Sequence, residues 1–257
     1  MQTKRQIQEL LTTAGVAPNR RLGQHFLVDL NLLRLLVDTA QVTRHDVVLE
    51  IGTGTGSLTE ALAERAGQVV TVELDPTLAG IAGTQLAGAD NVQILNTDVL
   101  SGKGALNPAV TEAVTAARAR LSGTGPISPI SPISPPERPE TATRLLLVSN
   151  LPYDVASAVM IHLAKGPVTA DAMFVTVQKE VAERMTAGPG SRDYGTLSIF
   201  LQATGTVEML RRLKPSVFWP PPGVDSAMAG YRRDADRSGR ILKIGRASCR
   251  ERVYHPV

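Results

Sequence analysis

Four short stretches carry the residue types that could do chemistry. Glu50-Ile51-Gly52-Thr53-Gly54-Thr55-Gly56 sets an acid before three glycines at alternate positions. Glycine permits a tight turn and lets backbone approach a ligand closely. Glu73 lies about 20 residues past Gly52, the separation at which an acid in a doubly wound sheet reaches ribose hydroxyls. Asp98 follows in Thr97-Asp98-Val99-Leu100, and Asn150-Leu151-Pro152-Tyr153 joins a carboxamide, a proline and an aromatic ring. The proline fixes its own φ and keeps Leu151 extended. The Asn150 amide and a neighbouring carbonyl can then be aimed outward as two acceptors. Such a pair suits an exocyclic amine such as N6 of adenine, whose lone pair is delocalised into the ring. Accepting both N6 hydrogens localises that pair toward an electrophile. Tyr153 offers a ring on which a base could stack, a contact of about 1–3 kcal/mol.

Each stretch also has an ordinary structural reading. Asn and Pro are common turn residues. A GxGxG run is not the GxGxxG of dinucleotide enzymes, and with no GKS or GKT a P-loop is disfavoured. The order of the stretches says more than any one of them. A glycine-rich loop, a glutamate and an aspartate at three successive strand ends would line the carboxyl edge of one sheet, where such folds bind ligands. That arrangement points to a nucleoside cofactor.

The elements that must position these residues read as alternating strands and helices. Apolar, β-branched or leucine-rich runs of strand length occupy 47–51, 69–73, 92–95, 145–149 and 173–177. Near-continuous apolar strands belong to a sheet covered on both faces. Helical spacing predicts helices over 57–66 and 76–86, the second with Asp75 as N-cap and Pro76 in its first turn. The alternation gives an α/β doubly wound sheet, with 198–210 and 227–231 as its expected last strands. Residues 103–143 read as a surface insertion: 107–121 could be helical, and the stretch is Pro-rich over 123–140, where ISP repeats three times. Proline at every third position favours extended structure.

The 257 residues are 43% hydrophobic and 20% charged, enough for one sizeable core. No apolar run approaches the roughly 18–20 residues of a membrane span, and the polar N-terminus has no secretory apolar core. The single cysteine, Cys249, excludes an internal disulfide and a cysteine-rich zinc site. A reducing, cytoplasmic setting is expected. The net charge of +3 comes from the C-terminal stretch: without Lys243, Arg246, Arg250, Arg252 and Glu251 the remainder is neutral. Nucleic-acid binding would therefore need a local patch, for which Arg211, Arg212 and Lys214 are candidates. Residues 244–253, IGRASCRERV, resemble a translated DNA adapter, so 234–257 is expected to be a tail of partly artificial origin.

More stretches join the first four in order: Arg21-Leu22-Gly23-Gln24-His25-Phe26-Leu27, Gln178-Lys179-Glu180-Val181-Ala182-Glu183-Arg184, Tyr194-Gly195-Thr196-Leu197-Ser198 and Phe218-Trp219-Pro220-Pro221-Pro222-Gly223-Val224-Asp225-Ser226-Ala227. Together they resemble the motifs of the ribosomal RNA adenine dimethyltransferase family over about residues 15–233, insertion apart. The resemblance implies a class I, Rossmann-like methyltransferase domain at 1–233 that uses S-adenosylmethionine. It implies cofactor contacts from His25, where many members have Asn, and from Leu27. Gly52 would approach the methionine portion, Glu73 the ribose and Asp98 the adenine amino group. Asn150 would lie between cofactor and target base, within a catalytic segment completed by Leu151, Pro152 and Tyr153. Phe218 would stack on the base opposite Tyr153.

The implied activity is methyl transfer to N6 of two adjacent adenosines near the 3′ end of small-subunit (16S) rRNA in an immature ribosomal particle. A monomer without metal or membrane is expected. The alternatives are the large-subunit 23S rRNA adenine methyltransferases of macrolide resistance and a non-catalytic ribosome-assembly factor on the same fold. Gly23-Gln24 and Val224-Asp225-Ser226-Ala227 favour the small-subunit group. The small helical C-terminal domain of the family would begin after about Arg233 and is expected to be missing.

Overall fold

The computed structural model describes residues 1–19, 22–102, 105–123, 143–234 and 236–237. The chain opens with helix α1 (Lys4–Thr13), capped by Thr3 and Gln6 in a reciprocal box. A short strand β1 (Phe26–Leu27) leads to α2 (Leu30–Ala40), whose first amides bond the Asp29 carboxylate. Then come β2 (Val47–Ile51), α3 (Ser57–Ala63), β3 (Gln68–Glu73), α4 (Pro76–Gln85) and β4 (Val92–Asn96). Asp75 caps α4 and Pro76 opens it, as the sequence predicts. Two short strands follow, β5 (Leu100–Ser101) and β6 (Ala105–Leu106), then α5 (Pro108–Leu121) and β7 (Leu145–Asn150). The rest is α6 (Ala156–Lys165), β8 (Ala172–Gln178), α7 (Lys179–Thr186), α8 (Thr196–Thr204), β9 (Gly205–Leu213), β10 (Phe218–Trp219) and β11 (Ser226–Arg233).

Seven strands form one sheet in the order β4-β3-β2-β7-β8-β11-β9. The first five are parallel, and β11 runs antiparallel between β8 and β9. This is the doubly wound α/β sheet expected. Strand periodicity sorts the core into two layers. Val47, Leu49 and Ile51 of β2 face α5, α6, α7 and α8. Val48 between them faces α2 and α3. The carboxyl ends of β2, β3, β4 and β7 consequently open onto one edge, between the helix layers. A third, smaller cluster joins Ile7 and Leu11 of α1 to Leu78 of α4.

Two expectations are corrected here. The 198–210 segment is not one strand: Thr196–Thr204 is helical, and the strand starts only at Gly205. Leu197, Leu201 and Thr204 recur at helical spacing and are all buried. The 103–143 segment is not wholly a surface insertion either. Its first half holds α5, which Asn107 caps and which buries Val110, Ala113, Val114 and Ala117 in the main core. That helix is the crossover that covers β2 and β3. The repeated ISP stretch, Cys249 and the basic residues from Lys243 onward lie outside the described residues. No helix among the described residues is long and apolar enough to cross a membrane.

Candidate active site at the carboxyl edge of the sheet

A cavity opens where β2, β3, β4 and β7 end, and its wall includes Gly52, Glu73, Asp98, Asn150 and Tyr153. Its empty space, counting the open mouth, is about 930 Å³, within the range of small-molecule sites. The loop after β2 forms one side. Gly52, Gly54 and Gly56 all have positive φ, at 86°, 58° and 87°. That left-handed region strains any residue with a Cβ. At Gly52 a Cβ would also meet the Pro152 ring at 3.3 Å, and at Gly54 it would meet Phe26 at 3.1 Å. The loop thus exposes bare backbone to the cavity because its sequence permits nothing else.

Glu73 ends β3 and is almost fully buried. Its Oε2 accepts from Gly54 N at 2.8 Å and its Oε1 from Asp75 N at 2.9 Å. The carboxylate therefore holds the glycine loop to α4 while lining the cavity. Burial pushes its pKa up, and the bonds from Asp75 and Gly54 oppose that shift. Asp98 lies two residues beyond the end of β4 and is exposed at the rim. Its Oδ1 accepts from Leu100 N at 2.9 Å, which sets the side chain against β5.

Asn150 closes β7. Its amide orientation is determined by its partners. Nδ2 donates to the His25 carbonyl at 2.9 Å, and that carbonyl can only accept. Oδ1 accepts from the Thr176 hydroxyl, which leaves one lone pair of the amide oxygen uncommitted. Tyr153 is held by its hydroxyl, which bonds Ser226 Oγ at 2.7 Å. Burial raises the phenol pKa and the Ser226 bond works against this.

Residues 22–26 form the opposite wall. Gln24 Nε2 donates to Asp75 Oδ2 at 3.0 Å, which ties this segment to the cap of α4. His25 Nδ1 lies 2.7 Å from the Pro220 carbonyl. A carbonyl cannot donate, so Nδ1 carries the proton. The His25 and Tyr153 rings stack with centroids 5.9 Å apart. A base between them would need a separation of about 7 Å, so only the other face of Tyr153 can take one.

Two residues expected at the site are not on the cavity wall. Phe218 is 3% exposed and belongs to the core under α2. Leu27 is 5% exposed in that same cluster. The reason is a two-residue antiparallel ladder, β1 with β10, that places Leu27 opposite Phe218 and turns both inward. Phe26 and Trp219, one position along, stack on the other side at 6.2 Å. Phe218 is therefore not among the residues that line this cavity. Conversely, Phe26, Leu74, Leu78 and Val99 line the cavity and were not singled out from the sequence. An apolar residue beside each polar strand-end residue was the available signal. Among the described residues no cluster of His, Cys, Asp or Glu could hold a metal ion.

Beneath the glycine loop lies Glu50, 1% exposed. It accepts from Thr59 Oγ1 at 2.6 Å and from Thr71 Oγ1 at 2.7 Å. Burial raises its pKa from 4.5 to about 8, the two threonine bonds lower it, and the charge of Glu73 adds to the rise. A raised carboxyl pKa means that the folded chain keeps a proton which the unfolded chain gives up. Between pH 4.5 and about 8 the unfolded state binds fewer protons, so stability falls as pH rises and levels off above that window. Glu50→Gln is expected to flatten the melting temperature between pH 5 and 8. An undiminished downward slope in the variant would place the titrating group elsewhere.

Comparison with known proteins agrees with this geometry. Residues 16–237 match the family model described as ribosomal RNA adenine dimethylase. The chain is 34% identical over 219 residues to ribosomal RNA small subunit methyltransferase A of Ligilactobacillus salivarius, covering 85% of this chain and 65% of that relative. It is 34% identical over 250 residues to the protein of that name from Listeria innocua, covering 95% of this chain and 76% of the relative. The chain thus spans about two thirds to three quarters of these relatives' length. Among solved structures, a dimethyladenosine transferase from Plasmodium falciparum superposes with a TM-score of 0.62 at 22% identity, covering 83% of this chain and 65% of that one. The 23S rRNA methyltransferase ErmE gives 0.57 at 27% identity, covering 82% and 70%. With a matched family model spanning most of its length and a cavity built from that family's motifs, this chain belongs to the ribosomal RNA adenine dimethylase family.

Proposed function

We propose that this chain transfers methyl groups from S-adenosylmethionine to N6 of adenosines in small-subunit ribosomal RNA, forming N6,N6-dimethyladenosine. The observation that carries the reading is the position of Asn150. Its amide oxygen keeps one lone pair at the mouth of a cavity whose other walls are a glycine loop and a ribose-type acid. The residues fit the cofactor. Gly52 and Gly54 line the cavity with bare backbone, where a Cβ would crowd Pro152 or Phe26, and Glu73 presents a carboxylate for two ribose hydroxyls. Asp98 at the rim suits the adenine amino group, and the His25 side chain and backbone complete the wall.

When bound, S-adenosylmethionine would supply an electrophilic methyl group: the N6 lone pair would form the new nitrogen–carbon bond, and the sulfur would keep the electron pair of the broken sulfur–carbon bond and leave as a neutral thioether. The work left for the chain is positioning. In the first transfer Asn150 Oδ1 and the Leu151 carbonyl accept the two N6 hydrogens and aim the nitrogen lone pair; in the second, one of them holds the single hydrogen that remains. Pro152 keeps Leu151 extended, and Tyr153 stacks the base on the face away from His25. The target adenine must first leave its own stack. The proton lost from N6 passes to water at the open mouth.

Arg211, Arg212 and Lys214 are exposed at the end of β9. Leu213 beside them pairs with Ser226, the partner of Tyr153. These cations stand where RNA phosphates would enter with the target base. The substrate is small-subunit rRNA in an immature particle, and the setting is cytoplasmic.

The test is transfer of labelled methyl groups to small subunits that lack the modification, with nucleosides resolved after digestion. Label in N6,N6-dimethyladenosine of 16S rRNA is expected. Label confined to 23S rRNA would favour the large-subunit reading. Cofactor binding with no transfer to either RNA would leave an assembly role.

A further inference from the structure

We infer that Thr176 and Ser226 are the positioning residues of this site, each fixing one of the two side chains that would present the target base. This rests on the proposed methyl transfer for its catalytic consequence, but not for its geometry. Both residues lie inside the sheet, at 1% and 0% exposure. Thr176 is on β8, where its neighbours Val175 and Val177 are core residues, and Ser226 opens β11. A buried hydroxyl is unfavourable unless it is hydrogen-bonded. At both positions the bond goes to the catalytic segment. Thr176 Oγ1 donates to Asn150 Oδ1, and Ser226 Oγ pairs with the Tyr153 hydroxyl at 2.7 Å.

The Thr176 contact has a specific chemical effect. A primary amide has two orientations related by a flip. With the His25 carbonyl on one side and the Thr176 hydroxyl on the other, one orientation satisfies both partners. The flipped amide would set its oxygen against the His25 carbonyl. Thr176 also sits in register with Asn150 across the β7–β8 ladder, and its carbonyl accepts from Leu151 N at 3.1 Å. Its backbone therefore sets the start of the Leu151-Pro152 segment and its side chain sets the amide. Ser226 acts at the other end of that segment. Its hydroxyl fixes where the Tyr153 ring stands, with the ring's His25 side already occupied. Ser226 and Met228, the residue opposite Thr176, are on one strand, so a single rigid ladder carries both anchors.

The experiment compares Thr176→Val, Thr176→Ser, Ser226→Ala, Tyr153→Phe and the double variant Ser226→Ala/Tyr153→Phe. Three readouts are taken: turnover at saturating substrates, cofactor affinity by calorimetry, and the side-chain amide NMR signals of Asn150. Thr176→Val is expected to lower kcat about tenfold with cofactor affinity changed less than about threefold, and Thr176→Ser to restore most of it. The Asn150 amide protons should exchange with water faster in Thr176→Val and not in Thr176→Ser. Ser226→Ala and Tyr153→Phe are each expected to lower kcat several-fold, and the double variant no further, since both remove one bond.

Equal loss in Thr176→Val and Thr176→Ser would mean a packing role and overturn the inference. So would unchanged amide exchange in Thr176→Val, or additive losses in the double variant. Absence of transfer by the unsubstituted chain would count against the proposed function alone. The amide exchange rates read the positioning without turnover.

Discussion

Asn150→Ala is expected to abolish methyl transfer while the fold stays intact. The side chain makes two bonds, to the His25 carbonyl and the Thr176 hydroxyl, and neither holds the sheet together. Residues 145–150 remain paired in the ladder through backbone. Removing the amide takes away the acceptor that orients N6 and frees residues 22–26 from the end of β7. A misplaced reacting group costs about a hundredfold in rate even for a 1 Å error. Loss of the acceptor itself should reduce kcat by at least about that factor. Cofactor affinity should also fall, because the His25 wall loses one of its anchors, but saturating cofactor should not rescue the rate. The assay is labelled-methyl transfer beside the unsubstituted chain, with circular dichroism and melting temperature as the fold control. Near-normal dimethyladenosine formation by the variant would remove Asn150 from the mechanism.

Glu73→Ala carries the second large effect, on binding. The Glu73 carboxylate has two functions. It accepts from Gly54 N and Asp75 N, fixing the glycine loop against α4, and it faces the space expected to hold two ribose hydroxyls. Hydrogen bonds to charged groups contribute about 1.5–3 kcal/mol each. Loss of one hydroxyl contact alone means about tenfold or more in affinity, and loss of both more than about a hundredfold. The loop adds to this, because Gly54 N and Asp75 N lose their acceptor. Glu73→Gln is expected to fall between wild type and Glu73→Ala. It keeps one oxygen, while its amide nitrogen opposes one of the two backbone N–H groups. Calorimetric titration with S-adenosylmethionine measures both variants. Unchanged affinity in Glu73→Ala would show that the ribose is held elsewhere.

Much of the site was legible in the sequence because its signals are local. Glycines at 52, 54 and 56 directly after an apolar run mark a tight turn at a strand end, and the φ values near +60° to +90° found there favour glycine. Glu73 and Asn150 end apolar runs whose strand character comes from β-branched and leucine side chains. Their meeting at one sheet edge follows from right-handed parallel crossovers. The seven-strand order extends that logic, with β11 antiparallel as a long connection allows. The 198–210 segment is ambiguous for a local reason. A run of apolar residues fits a strand or a buried helix until the far side of the packing is known, and here α8 lies against α6 and α7.

What only the tertiary structure decided are contacts between residues far apart in the chain. Phe218 looked like a stacking partner from its motif, yet pairing with Leu27 nearly two hundred residues earlier turns it into the core. Nothing within either segment encodes that ladder; it exists because both ends of the fold pass beside α2. The Ala/Val-rich stretch at 108–121 could be helical on sequence, but only β2 and β3 beneath it make it a core helix. The Thr176 and Ser226 hydroxyls show the same physical reason most plainly. In sequence each is a polar residue within an apolar strand. Their bonds to Asn150 and Tyr153 arise when β8 is laid beside β7, and β11 beside β8. Hydrophobic pattern and backbone conformational limits determined the scaffold and three of its functional strand ends. The orientation of the groups at those ends is set by directional hydrogen bonds across neighbouring strands, which require the assembled sheet.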